Sequence, residues 1–325
     1  MTNGKTSCPT KRSPPFLPKL NFMLPPSATT RRSELLAKFF RLLPLYSGCG
    51  KVASKPQLKS LLTNPGPVWA QCRWGSWLQC YLDDYVGQAV YYFGDLDPKL
   101  SWILQTTLRP GDHFIDVGAN IGLLTFLGSK LVGEQGRVLA VDPQPKVIAC
   151  LENALERNQT TNVTLARCGV GQESGQLTLY VPEGNLGSAS FSKLPGEKTE
   201  TFHVPVRTLT DLLKEHQFEQ ARLVKLDVED WEAEVVAGAE EIWSQSPPLG
   251  IIFEFREKKS IPETEVGRRM AALGYRFYRI PRNWFRPQLI RSDQGFSRQV
   301  THDVFAVHHS VTCQELGFSP HQVVE

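Results

Sequence analysis

The chain has 325 residues, enough for one large domain or two modest ones, and 41% of them are hydrophobic, which allows a sizeable core. No apolar stretch approaches the roughly 18 residues of a membrane-spanning helix, so we expect no transmembrane segment. The net charge of +3 conceals an asymmetry, because residues 1–60 hold eleven Lys or Arg against one acid, Glu34, whereas the remainder carries a net charge of −7. An acidic body argues against a nucleic acid as the partner.

The cysteines indicate a reducing compartment. Seven are present, an odd number in a large chain, and no two of them form a CxxC pair. A disulfide framework or a zinc site is expected to show paired spacings. We therefore expect free thiols, no bound metal and a cytoplasmic location.

Residues 1–66 are predicted to form a basic, proline-rich N-terminal extension with one short amphipathic helix at 33–43. Its apolar residues share one face and its charged residues the other: Leu35, Leu36, Phe39, Phe40 and Leu43 against Glu34, Lys38 and Arg41. We favour a lead-in helix packed on the main domain. The alternatives are a peripheral contact with an anionic membrane or a partner, and a cleavable targeting segment, which the many prolines argue against.

Residues 67–110 are rich in aromatic side chains and are predicted to form a β lead-in. Strand patterns occur at 74–82 and 86–93, and the Asp83–Asp84 pair marks the turn between them. The aromatic rings could stack on a sugar or polyketide ring, but filling a core is their default role.

Strands and helices alternate from residue 111 onward, which predicts an α/β fold with a Rossmann-like doubly wound sheet. The predicted strands are 113–117, 137–142, 163–170, 221–227, 249–255, 275–280 and 303–309. The predicted helices are 120–132, 145–158, 208–216, 230–243 and 263–273. Two added strands, 176–181 and 201–207, indicate an inserted β element. The main domain is expected to span 111–312, followed by a C-terminal tail, 313–325.

A glycine loop and a later acid predict a nucleoside site. Asp116 ends an apolar strand, Gly118 and Gly122 shape the following loop, and Asp142 ends the next strand, where it would bind ribose hydroxyls. Asn120 takes the place of the glycine that gives a pyrophosphate room. S-adenosylmethionine contains an adenosine and no phosphate, so it tolerates this polar residue, and Asp116 could act on its ammonium group. We therefore expect S-adenosylmethionine as the cofactor.

An ordered series of segments across about 85–310 resembles the FkbM family of S-adenosylmethionine-dependent methyltransferases. The matching segments are Val90 to Pro98, Asp116 to Gly122, Val138 to Pro145, Gly187 to Ser190, Val204 to Leu213, Val224 to Glu229 and Pro248 to Glu254. The resemblance implies O-methylation of a hydroxyl on a small molecule or glycan. The chain departs from it at two places. Asp230-Trp231-Glu232 stands where the family usually has Gly-Ala-Glu, and the bulky Trp231 would reshape the acceptor pocket. Asp97 stands where Glu is more common.

Three acids near strand ends are the catalytic candidates. Asp227 and Glu229 are two residues apart, which would point both carboxylates to one side of a strand, and Glu254 follows on the next strand. Carboxylates held close together raise one pKa, which suits a general base for a hydroxyl acceptor. The alternative role for Asp227 and Glu229 is capping of the helix at 230–243. A divalent metal held by these acids is a weaker alternative.

Two other functions remain open at this stage. The chain could be a catalytically silent nucleoside-binding module that keeps the same fold. It could also be an NAD-dependent oxidoreductase, although Asn120 in the loop opposes a pyrophosphate there.

Overall fold

A computed structural model describes residues 30–62, 66–193, 198–256, 260–292 and 302–324. The helices in this part of the chain are α1 (Arg31–Arg41), α2 (Cys49–Ala53), α3 (Pro56–Lys59), α4 (Tyr85–Phe93), α5 (Pro98–Thr107), α6 (Leu123–Val132), α7 (Pro145–Arg157), α8 (Leu209–His216), α9 (Glu232–Ala237), α10 (Glu240–Trp243), α11 (Glu265–Ala272) and α12 (Cys313–Leu316).

The strands of the same residues are β1 (Pro67–Gln71), β2 (Trp77–Tyr81), β3 (His113–Val117), β4 (Arg137–Val141), β5 (Val163–Ala166), β6 (Gly169–Val170), β7 (Gly175–Pro182), β8 (Thr199–Arg207), β9 (Leu223–Leu226), β10 (Gly250–Phe255), β11 (Tyr275–Ile280), β12 (Leu289–Arg291), β13 (His302–His308) and β14 (Val323–Val324).

A nine-stranded sheet with helices on both faces forms the centre, which confirms the predicted doubly wound α/β fold. Its strand order is β14-β12-β11-β13-β10-β9-β3-β4-β5. The run from β5 to β10 is parallel, and β13 and β11 continue it in antiparallel pairings. The strand order reverses direction at β3, because β4 lies on one side of this strand and β9 on the other. Ligands of such sheets bind outside the carboxyl ends of the strands at this reversal.

The inserted β element forms a separate three-stranded sheet in the order β6-β8-β7. The predicted strand at 163–170 is therefore divided between two sheets: Val163–Ala166 belongs to the central sheet and Gly169–Val170 to the inserted one. The predicted helix at 230–243 is likewise two shorter helices, α9 and α10, separated at Gly238 and Ala239.

The predicted strand at 86–93 is wrong, because this segment is helix α4. The side chain of Asp84 caps its first turn by accepting hydrogen bonds from the backbone N–H groups of Val86 (2.9 Å) and Gly87 (3.1 Å). Gly94 ends it in the left-handed conformation. The β character of the lead-in is thus limited to the β1–β2 hairpin, and most of its remainder is helical.

Helix α1 packs on the main domain, as favoured from its sequence, but through a different face. Ser33, Ala37 and Arg41 are buried, with Ser33 Oγ 3.3 Å from the hydroxyl of Tyr91. The guanidinium of Arg41 donates to three backbone carbonyls, of Gln71, Val90 and Tyr91. Of the predicted polar face only Arg41 is buried. Of the predicted apolar face, Leu36, Phe40 and Leu43 pack partly buried on the core, whereas Leu35 and Phe39 are exposed.

The predicted C-terminal tail, 313–325, contributes a strand to the central sheet, because β14 pairs in parallel with β12. No helix in the described ranges is long and apolar enough to cross a membrane. The six cysteines within these ranges are buried; Cys8 lies outside them.

Candidate active site

A cavity of about 580 Å³ lies at the carboxyl ends of the parallel strands, a size typical of small-molecule sites. The segments that follow β3, β4 and β9 contribute Gly118, Asp142 and Asp227 to its wall, and β10 contributes Glu254. The inserted element closes one side through Leu186. The topology thus brings together residues that lie more than a hundred positions apart in the chain.

Asp142 is held rigidly at one end of the cavity. Its Oδ2 accepts a hydrogen bond from the backbone N–H of Asn120 (2.8 Å), and its Oδ1 accepts one from that of Gln144 (2.9 Å). Burial nevertheless dominates and raises the pKa of Asp142 to about 6. Because each carboxylate oxygen can accept a second hydrogen bond, the group can still receive two ribose hydroxyls.

The two loop glycines serve packing as much as ligand access. Gly118 has a φ of +74°, and a Cβ there would lie 1.9 Å from the backbone oxygen of Asp227. Gly122 lies behind the cavity wall, where a Cβ would lie 2.5 Å from Leu151 of α7. Asn120 adopts the left-handed conformation with φ 52°, which Asn tolerates well, and it lines the cavity.

Asp116 lies in the floor of the cavity and is fully buried. Its Oδ2 accepts a hydrogen bond from Thr125 (2.6 Å), and its Oδ1 lies 3.4 Å from the ammonium of Lys225 without forming a hydrogen bond to it. Burial raises the pKa of Asp116, and Lys225 opposes that shift. The same ammonium lies 3.3 Å from Oδ2 of Asp227, so one cation serves both carboxylates.

The three predicted acids, Asp227, Glu229 and Glu254, converge at the other end. Each contributes an oxygen, and these oxygens lie within 4.8 Å of one another. Three carboxylates at this spacing can hold a divalent cation. Arg256, however, pairs with two of them, at 2.6 Å from Glu229 and 2.5 Å from Glu254.

Burial, followed by the negative charge of Asp227, raises the pKa of Glu254 to about 7 and also raises the pKa of Glu229. Arg256 opposes both shifts without cancelling them. Glu254 is thus poised to exchange a proton near neutral pH, the property that a general base requires.

The convergence does not arise from strand alternation, as the sequence suggested. Strand β9 ends at Leu226, and the next residues form a turn in which Glu229 (φ 54°) and Asp230 (φ 69°) are both left-handed. Consecutive non-glycine residues in this region are strained, and such strain is concentrated at functional sites. Nor do these acids cap a helix, because α9 begins at Glu232 and its N-cap residue, Trp231, makes no side-chain capping bond.

Trp231 does not line the cavity. Its ring packs on Phe191, with 5.5 Å between the ring centroids, and it is Phe191 that contributes to the cavity wall. The departure from the family pattern at this position therefore affects the pocket through Phe191 and the inserted element.

A buried ion-pair cluster in the same wall was not expected from the sequence. Lys99, only 2% exposed, bridges Asp97 and Asp303. Asp303 lies directly opposite Glu254 in the β10–β13 pairing. Burial raises the pKa of Asp97 to about 6, even though Lys99 opposes it. Only Asp97 carried a sequence signal, as a departure from the family pattern; Lys99 and Asp303 required the fold.

Three polar atoms in the cavity wall lack hydrogen-bond partners within the described residues: Oδ1 of Asp116, Oε1 of Gln144 and Oδ1 of Asp97. Buried polar atoms are usually satisfied, so their presence indicates a wall built for a polar ligand. Two of them, in Asp116 and Gln144, flank Asp142 at the nucleoside end. The residues present therefore fit an adenosyl cofactor.

A family model, the Methyltransferase FkbM domain, matches residues 116–277. Residues 116–277 are an FkbM methyltransferase domain. S-adenosylmethionine, the cofactor expected from the sequence, is the cofactor of that family. The matched range contains the nucleoside end of the cavity and all three acids of the other end.

Curated relatives agree with this assignment. The 31-O-demethyl-FK506 methyltransferase FkbM of Streptomyces tacrolimicus is 30% identical over 166 residues, which cover 41% of this chain and 62% of that protein. Methyltransferase sdnD of Sordaria araneosa is 31% identical over 165 residues, with the same coverages. A wheat (Triticum aestivum) protein-L-isoaspartate O-methyltransferase is 29% identical over 85 residues, which cover 26% of this chain and 34% of that protein. The chain thus spans between about a third and three fifths of the length of these relatives.

Among solved structures, the methyltransferase FkbM of Methylobacillus flagellatus superposes with a TM-score of 0.38 at 14% identity, covering 68% of this chain and 53% of that one. A Thermotoga maritima SAM-dependent O-methyltransferase superposes with a TM-score of 0.35 at 16% identity, covering 66% of each chain.

Proposed function

We propose that the protein binds S-adenosylmethionine in this cavity and transfers its methyl group to a hydroxyl of a small molecule or glycan. The observation that carries the proposal is the placement, in one cavity, of Asp142 at one end and the acids Asp227, Glu229 and Glu254 at the other. The FkbM domain supports methyl transfer, and the acid cluster supports a hydroxyl acceptor, which must lose a proton as it reacts.

The nucleoside end would hold the cofactor through its sugar and its amino acid. Asp142 accepts hydrogen bonds from the ribose hydroxyls, and Oδ1 of Asp116, which pairs with Lys225 but accepts no hydrogen bond within the described residues, receives the ammonium group, directly or through water. Bound S-adenosylmethionine supplies an electrophilic methyl group on a sulfonium. The chain's part in the reaction is to orient an acceptor in line with that methyl and to exclude competing water.

Glu254 is the residue that we assign as general base. Its pKa of about 7 leaves about half of it ionised at neutral pH. Arg256 holds both Glu254 and Glu229 in place, and the negative charge of Asp227 favours proton uptake at each of them. A hydroxyl that enters beside Arg256 would give its proton to Glu254 as the new bond to carbon forms.

The ion pairs of Arg256 also favour a second function, a binding module of the same fold without turnover. If Arg256 never releases Glu254, the carboxylate cannot approach an acceptor. The two functions share cofactor binding and differ in methyl transfer.

Calorimetry with S-adenosylmethionine and with NAD tests the cofactor. We expect micromolar binding of the former only, and Asp142→Ala should weaken it by roughly 1–3 kcal/mol through the lost hydrogen bonds. Unchanged affinity in that variant would refute the ribose assignment. Transfer of a labelled methyl group into a cell extract, followed by mass spectrometry, then tests turnover and identifies the acceptor. Cofactor binding without any label transfer would establish the binding module.

A further inference from the structure

Helix α1 carries an exposed apolar stripe that its packing leaves uncovered. Leu35, Phe39 and Leu42 are 59%, 56% and 57% exposed. They recur at the spacing that places side chains on one side of a helix. The buried residues of the same helix, Ser33 and Ala37 among them, lie on the opposite side. The helix therefore packs on the domain through its buried side, with Leu36 and Phe40 partly buried against the core, and it presents Leu35, Phe39 and Leu42 outward.

Positive charge flanks this stripe on α1 and continues in the segments that follow. Arg31, Arg32 and Lys38 of α1 are exposed, as are Lys51, Lys55 and Lys59 in the segments that follow. Glu34 is the single acid of residues 1–60. Large apolar residues flanked by Lys and Arg are typical of helices that lie in the surface of an anionic bilayer. Cations near such a surface strengthen the binding electrostatically.

A second exposed apolar element contacts the segment that follows α1. Trp284 and Phe285 are 52% and 67% exposed. Their loop is joined to the segment that follows α1 by two hydrogen bonds: the N–H of Tyr46 donates to the carbonyl of Trp284 (2.9 Å), and the hydroxyl of Ser47 donates to that of Asn283 (3.2 Å). Tryptophan is enriched at membrane–water interfaces.

The same loop borders the cavity. Trp284 and Arg282 of this loop contribute to the cavity wall, and so does Lys51 of α2. The Trp284–Phe285 loop thus connects the segment that follows α1 with the wall of the cavity.

We propose that this surface, formed by Leu35, Phe39, Leu42, Trp284 and Phe285 with their flanking cations, docks on an anionic lipid bilayer. A second copy of the chain would present the same positive charge and be repelled, whereas anionic headgroups complement it. The proposal concerns the surface alone and holds whether or not methyl transfer occurs in the cavity.

Co-sedimentation of the full chain with vesicles tests the proposal. The protein should sediment with vesicles of phosphatidylcholine and phosphatidylglycerol, and much less with phosphatidylcholine alone or at high salt. The double variant Phe39→Ser/Leu42→Ser should lose about tenfold or more in vesicle affinity. The matched control is Leu177→Ser/Val324→Ser, which changes exposed apolar residues on other elements and should bind as the wild type does.

Two triple charge variants distinguish binding through this surface from a general attraction between cations of the protein and the vesicles. Arg31→Gln/Arg32→Gln/Lys38→Gln should reduce binding to the anionic vesicles several-fold. Arg167→Gln/Lys214→Gln/Arg268→Gln removes the same charge from exposed positions elsewhere and should reduce it much less. Trp284→Ser should also weaken binding, and it should reduce quenching of tryptophan fluorescence by brominated lipids.

Three results would overturn the proposal. One is the absence of sedimentation with the anionic vesicles, and another is equal loss in the test and control variants. The third is a wild-type dimer in sedimentation velocity that Phe39→Ser/Leu42→Ser converts to monomer, without vesicle binding, because the stripe would then serve a second copy. Thermal unfolding of each variant confirms that it is folded.

Discussion

A side-chain carbon at Gly118 would lie only 1.9 Å from the backbone carbonyl oxygen of Asp227. The loop after β3, which shapes the nucleoside end, is thus in direct contact with the loop after β9, which carries the acid cluster. The backbone of one loop positions the other, so the two ends of the cavity are built as one unit.

Gly118→Ala should therefore destabilise the protein more than the strain of an alanine in the left-handed conformation alone explains. Gly184 has nearly the same φ, +73° against +74°, but no atom within 4 Å of an added Cβ. We expect Gly184→Ala to lose about 1 kcal/mol in the free energy of unfolding and Gly118→Ala at least about 2–3 kcal/mol more. Urea unfolding of the two variants measures the difference. Equal losses in the free energy of unfolding would show that the two loops move apart at little cost.

Cofactor affinity should depend on pH through Asp142. Its pKa of about 6 means that the carboxylate, the form that accepts two ribose hydroxyls, is lost as pH falls below that value. Affinity for S-adenosylmethionine should drop several-fold between pH 7.5 and pH 5. Asp142→Asn should bind weakly at both values, with a flatter profile. Calorimetry across this range provides the test, and a wild-type profile as flat as that of the variant contradicts the assignment.

Glu254→Gln should abolish most turnover while leaving cofactor binding intact. A general base contributes about 10²–10⁴-fold, so the loss should fall in that range. The wild-type rate should rise as pH increases through about 7, because the base acts in its ionised form, and the variant should lack this dependence.

Glu200→Gln serves as the control for Glu254→Gln, since Glu200 is half-exposed and pairs with Lys146. Label transfer with an acceptor-containing extract gives the rates. Normal turnover by Glu254→Gln would assign the base elsewhere, with Glu229→Gln as the next variant to measure.

Glu232 should destabilise the fold as it ionises. Burial raises its pKa from an ordinary 4.5 to about 8, so the folded protein keeps a proton that the unfolded chain has released. Stability should then fall as pH rises from about 4.5 to 8. Glu232→Gln removes this dependence and should be more stable by at least about 1 kcal/mol at pH 8, with little difference at pH 4.5. Thermal unfolding at both pH values measures the stability difference between the variant and the wild type. The same difference at both pH values would show that ionisation of Glu232 is not its cause.

The alternating part of the fold could be predicted closely from the sequence, because each element there buries one face. Helix α7 was expected at 145–158 and spans Pro145–Arg157. Helix α4 was missed for the opposite reason. All but the first of its nine residues are buried, so no polar face marks its period, and its valines and aromatic residues favour a strand.

The face that α1 presents to the domain was also beyond prediction. A buried arginine is rare, and Arg41 is tolerated only because three carbonyls from distant segments accept its hydrogen bonds. The acid cluster shows the same limit. Its three residues were identified from the sequence, but the left-handed turn at Glu229 and Asp230 that unites them, and the arginine that holds them, follow from tertiary structure.

Lys225 links the two halves of the site in a further way. Its ammonium is shared between Asp116 and Asp227, so a positively charged ligand that engages Asp116 leaves Lys225 free to neutralise Asp227. That neutralisation weakens the field that raises the pKa of Glu254. Occupation of the nucleoside end should therefore release protons from the acceptor end, and the heat of cofactor binding should vary with the ionisation enthalpy of the buffer. Such coupling would favour an ordered reaction in which the base becomes active only after the cofactor is in place.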